Sequence, residues 1–151
     1  MKIMNESKQL NLGRAGEHLV LADLILHGCK CFLTDAGMNY DVVIDLDHRF
    51  IRLQIKTTQR PGFMNREYAT PAYLINVRRA GKGGSRFYSV GEFEGFALVA
   101  LDTKQIAYIP FTKQVKRTII LRDRRETYKT TNHNTSPYFD EFSLEKFLKS
   151  F

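Results

Sequence analysis

The chain has 151 residues, of which 43% are hydrophobic, 12% aromatic and 26% charged. That is the make-up of one globular domain able to bury its own core, and it excludes a disordered, collagen-like or membrane-spanning chain. Two cysteines, Cys29 and Cys31, are too few and too closely spaced for a disulfide scaffold, so a reducing cytoplasmic setting is expected.

No apolar leader opens the chain, and its longest apolar run, 19–26, is broken by Asp23, so neither a secretory signal nor a transmembrane helix is expected. The formal net charge of +7 is unevenly spread, at −2 over residues 1–50, +10 over 51–125 and −1 over 126–151. A basic middle behind an acidic start fits a polyanion-binding surface beside a cluster of carboxylates. On charge alone, solvated surface lysines and arginines explain it equally well.

Leu12, Ala15, Leu19, Ala22 and Leu26 recur at spacings of three and four before Gly28, which predicts a helix over 12–27. Gly13, Glu17, Val20 and Leu24 form a second row, so the helix is expected to be covered on two faces, with Glu17 needing a partner. Three short strands follow at 30–34, 39–46 and 50–58, separated by turn residues such as Asp35-Ala36-Gly37 and Asp47-His48. A two-residue turn at Asp47-His48 pairs Leu46 with Arg49 and, counted outward, sets Asp41 opposite Gln54 on one face, with Lys56 one step along. Further strands are predicted at 73–77, 96–101, 106–109 and 117–122. The Gly-rich basic loop 78–86, a polar stretch over 122–137 and a short final helix capped by Ser143 complete a single domain, 1–151.

Glu17, Asp41, Gln54 and Lys56 are the candidate catalytic residues. Two carboxylates and an amide oxygen are hard donors suited to Mg²⁺, which takes one or two carboxylates and shares the substrate phosphate; Glu17 and Asp41 are the candidate metal ligands. A lysine beside the ion can orient the attacking water or neutralise the transition state. The competing structural reading is a helix carboxylate, Glu17, paired with Lys56. Arg52, Arg60, Arg78, Arg79, Lys82 and Arg86 are candidate phosphate contacts, and one face of 73–78 is a candidate β-ribbon for the major groove.

The loop 78–86 lacks the spacing of a triphosphate-binding loop, so no nucleotide cofactor is expected. His27, Cys29 and Cys31 lack a second pair for zinc, and His133 is assigned no role.

These residues resemble the PD-(D/E)XK nuclease superfamily, whose helix-borne Glu, strand Asp and following (D/E/Q)-X-K are matched by Glu17, Asp41, Gln54 and Lys56. Within it the chain is most similar to the bacterial group I intron-encoded homing endonucleases with a Q-X-K variant. The segment 96–110, ending Tyr108-Ile109-Pro110, extends the likeness over roughly residues 10–122. Tyr40 stands where a proline often precedes the Asp, and Gln54 replaces an acid, which lowers the negative charge offered to a cation.

The resemblance implies an α/β, restriction-endonuclease-like core with a mixed central β-sheet flanked by helices. It also implies a Mg²⁺-dependent, site-specific double-strand DNA endonuclease of the intron-homing type, acting on double-stranded DNA as a homo-oligomer, dimer or tetramer. A Holliday-junction resolvase-like nuclease and a non-catalytic basic nucleic-acid-binding protein on the same fold are the alternatives.

Overall fold

The computed structural model of the chain describes residues 7–63, 71–79, 83–125 and 135–151. Helix α1 (Lys8–Leu26) opens at Ser7, whose hydroxyl accepts the Leu10 N–H at 3.3 Å. This cap lies upstream of the apolar periodicity, so the helix starts four residues before the predicted residue 12. It ends as the sequence predicts, at Gly28 with φ 79°, where the N–H groups of Gly28 and Cys29 close onto the carbonyls of Ile25 and Leu24 at 2.9 Å each.

Of the two rows expected on α1, the one that holds Val20 and Leu24 is the buried one. Gly16, Val20 and Leu24 are buried, whereas Ala15 and Ala22 are exposed and Leu26 is 86% exposed, so one face of the helix is covered rather than two. The cause is steric. A Cβ on Gly16 would lie 1.9 Å from Thr57 Oγ1, so the helix backbone lies directly on the strand carrying Thr57, an approach open only to a row led by glycine.

Among the described residues eight strands follow: β1 (Lys30–Leu33), β2 (Val42–Asp45), β3 (Phe50–Thr58), β4 (Gly62–Phe63), β5 (Pro71–Asn76), β6 (Gly95–Ala100), β7 (Gln105–Pro110) and β8 (Thr118–Leu121). The central sheet runs β1-β2-β3-β6-β7 and is mixed, with β3 and β6 parallel and the other neighbours antiparallel. The α/β class with a mixed central sheet is therefore as expected. A second sheet, β4-β5-β8, was not legible as a separate unit.

The two faces of the central sheet carry different cores. On one face Val42, Ile44, Ile51, Leu53, Ile55, Ala97 and Val99 pack with Val20 and Leu24 of α1. Leu144 and Phe147 of α2 (Leu144–Leu148) join them; Ser143 caps that helix, as predicted, by accepting the Lys146 N–H. On the other face Phe96 and Leu98 meet Tyr73 and Ile75 of β5, and Val77 just beyond it, in an aromatic cluster with Tyr88, Phe93 and Phe111. Among the described residues no helix is long and apolar enough to cross a membrane. Of the polar stretch over 122–137, Arg122 bridges Tyr138, while His133 lies outside the described residues.

Candidate active site

The β2–β3 hairpin holds the register read from its turn. Asp47, at φ 64°, turns the chain, Leu46 N–H donates to Arg49 at 3.0 Å, and Val42 pairs with Leu53, which brings Asp41 level with Gln54. There the regular ladder stops. Asp41 N–H donates to the Leu53 carbonyl at 2.8 Å, and the Ile55 N–H donates to Asp41 Oδ2 at 2.7 Å, the carboxylate standing in for a backbone acceptor. The Gln54 amide also donates to Oδ2. Asp41 and Gln54 thus meet on one face, and among the described residues Oδ1 is the carboxylate oxygen these bonds leave to a cation.

Burial pushes the Asp41 carboxyl above its ordinary range, against the Ile55 N–H, the Lys56 charge and the Gln54 amide. Glu17 sits beside Gly16, the residue whose close approach sets α1 on β3. Its carboxyl is also raised, by burial and then by the charge of Asp41, with His18 and Arg14 opposing. The two part-buried carboxylates are thus electrostatically coupled.

The donor set fits Mg²⁺ at the level of its chemistry, with two carboxylates and the amide of Gln54. No group of three or more His, Cys, Asp and Glu side chains converges among the described residues.

Lys56 does not pair with Glu17. Its Nζ donates to the Arg78 carbonyl at 3.1 Å and to the Tyr88 hydroxyl at 2.9 Å, which removes the plain ion pair as the account of Glu17. Burial lowers the Lys56 ammonium, Asp41 opposes this and Arg79 adds to it. Tyr88, 4% exposed, was missed by sequence reasoning, because it meets Lys56 only across 32 residues of chain and sits at no diagnostic spacing.

The candidate phosphate contacts divide. Arg52 grips Glu94 through Nε at 3.0 Å and Nη2 at 2.7 Å, donates to the Gly91 carbonyl and stacks over Tyr40, so its guanidinium is engaged within the chain. Arg78 lies 3.9 Å over the Phe87 ring and donates to Ser85, and Arg79 donates to Asn39, two residues before Asp41. Arg60 and Arg86 are exposed, and Lys82 lies outside the described residues.

The Arg79–Arg86 bridge closes the base of the basic hairpin, whose first carbonyl, that of Arg78, touches Lys56. On β5, Leu74 and Asn76 face outward while Tyr73 and Ile75 face the core, so Leu74 and Asn76 form its exposed face. Cys29 and Cys31 are free thiols packed against the first core.

No family model matches the sequence, and no curated protein matches it. Among solved structures the chain is similar to that of a bacterial homing endonuclease, I-Ssp6803I, with a TM-score of 0.66 over 95% of this chain and 93% of that one. The likeness is one of fold. At 13% identity it establishes the architecture, and the chemistry is argued from the side chains above.

Proposed function

We propose that this chain is a Mg²⁺-dependent, site-specific DNA endonuclease of the homing type, a single nuclease domain acting in the cytoplasm as a homo-oligomer. The observation that carries the reading is the meeting of Asp41 and Gln54 on one sheet face, next to Lys56 and within electrostatic reach of Glu17. The fold shared with a homing endonuclease supports it, as does the excess of positive charge over residues 51–125.

In this reading Glu17 and Asp41 hold the ion, with Asp41 fixed through Oδ2 by the Ile55 N–H and the Gln54 amide, so that Oδ1 is the oxygen left to it. Bound there, Mg²⁺ supplies positive charge where the phosphodiester accumulates negative charge. Lys56 carries three N–H donors; two are taken by Arg78 and Tyr88, and the third is left for a phosphate oxygen or the attacking water. Arg60, Arg86 and Lys82 contact the DNA backbone, and cutting both strands calls for two such sites, hence at least a dimer.

The test incubates supercoiled DNA carrying a library of inserts with the protein, in Mg²⁺ and in EDTA, beside Lys56→Ala. Cleavage only in Mg²⁺, falling to a small but measurable residual rate in Lys56→Ala, is expected. Cleavage by Lys56→Ala at the wild-type rate refutes the role of Lys56. Steeply salt-dependent DNA binding without Mg²⁺-dependent cleavage favours the non-catalytic binding protein, and selective cutting of four-way junctions favours the resolvase.

A further inference from the structure

We propose that Tyr88 is a positioning residue for Lys56: its hydroxyl and the Arg78 carbonyl fix two of the three ammonium N–H directions and thereby aim the third at the scissile phosphate. The inference rests on the nuclease reading above.

A lysine side chain is a flexible four-carbon stem ending in a point charge, so by itself it specifies no direction. Here Nζ is held at 2.9 Å by Tyr88 and 3.1 Å by Arg78. Because the ammonium is tetrahedral, fixing two of its bonds leaves one orientation for the last. Both partners act as acceptors, the carbonyl necessarily so. Burial, followed by the charge of Asp41, pushes the Tyr88 phenol up to about 12, so it meets the lysine as a neutral hydroxyl and leaves the positive charge of Lys56 to the substrate.

The hydroxyl is itself fixed. The Tyr88 ring packs edge-on against Phe93 at 5.0 Å and Phe96 at 6.0 Å, and Phe96 is the strand partner of Gln54, so the ring is referenced to the site through β6. The Lys56 Nζ also lies 5.1 Å from the centre of the Tyr88 ring. Arg78 and Tyr88 flank the Arg79–Arg86 pair, joined by N–H···O bonds of 3.0 Å in both directions, so the two acceptors of the lysine stand beside one backbone bridge.

Tyr88→Phe deletes the hydroxyl and keeps the packed ring. On a cleavable DNA in Mg²⁺, kcat is expected to fall about 10- to 100-fold with KM within about twofold of wild type, the signature of an interaction realised at the chemical step. In a Lys56→Ala background the same change is expected to cost nothing further. Independently of DNA and metal, the Lys56 ammonium is expected to give a slowly exchanging ¹⁵N–¹H NMR signal that is lost in Tyr88→Phe while the thermal midpoint stays near wild type.

An unchanged Lys56 signal in Tyr88→Phe overturns the proposal. So does an equal loss of rate in the presence and absence of Lys56, which marks a packing role. A wild-type protein that cuts no DNA, with the signal still lost in Tyr88→Phe, refutes the nuclease reading and upholds the Lys56–Tyr88 link.

Discussion

Gly16→Ala probes how α1 delivers Glu17. A Cβ there would sit 1.9 Å from Thr57 Oγ1 and 3.1 Å from Thr57 Cβ and Cγ2, against 3.4 Å for ordinary contact. Helix and strand must therefore part by about 1.5 Å at that point, because the atom met belongs to a short, stiff β-branched side chain rather than to the far end of a flexible one. Overpacking of this kind costs about 1–3 kcal/mol, and the better helix propensity of alanine returns about 1 kcal/mol, for a net loss of about 0–2 kcal/mol in urea denaturation.

The effect on cleavage is expected to be larger. Glu17 moves with the helix, and misplacement by about 1 Å costs roughly 100-fold in rate. Thr57 Oγ1 is buried without a hydrogen-bond partner, so Thr57→Ala clears the space without breaking a bond and is expected to restore most of the lost cleavage in the double variant. Wild-type stability and rate in Gly16→Ala alone would refute the close-approach argument.

Two further outcomes follow from the ion pairs and the basic hairpin. Burial raises Glu94, but the Arg52 bonds hold its carboxyl below the ordinary 4.5, so its contribution to stability is full above about pH 4.5 and fades as acid carries the pH through the lower folded value. With Arg52 and Glu94 only 33% and 19% exposed, Glu94→Gln is expected to lose about 1–2 kcal/mol at pH 7 by denaturant titration, with the gap to wild type closing below about pH 4.5; a gap independent of pH would contradict it. Arg86→Ala, at an exposed arginine of the hairpin, is expected to weaken binding to every DNA sequence alike and to flatten the log Kd against log salt slope by about one unit, and an unchanged slope would remove Arg86 from the interface.

The part of the site carried by the hairpin was legible because its causes are local. Asp47-His48 sets the turn, the period of two sets the faces, and Asp41 and Gln54 follow from counting. Which of the two helix rows would be buried was not legible, for the opposite reason. The row of Leu12, Leu19 and Leu26 holds more leucines, yet the buried row of Val20 and Leu24 is led by Gly16, since the distance between α1 and β3 is set by what Thr57 leaves free.

Pairings between distant segments stayed hidden in the same way. Nothing near Arg52 or Arg79 in the chain announces that Glu94 and Asn39 will engage them, and nothing near Lys56 announces Tyr88. The second sheet likewise depends on β5 pairing with β8, more than forty residues on.

The central claim is that Asp41 and its neighbours form a metal-dependent phosphodiesterase centre. It is tested most directly by sequencing the ends released from a randomised DNA library in Mg²⁺ by the wild type and by Asp41→Asn, an isosteric change that withdraws the charge and leaves the oxygen facing the Ile55 N–H. The account predicts ends enriched in one long sequence with the wild type and none above background with Asp41→Asn. Equal yields of the same ends from both proteins would contradict it.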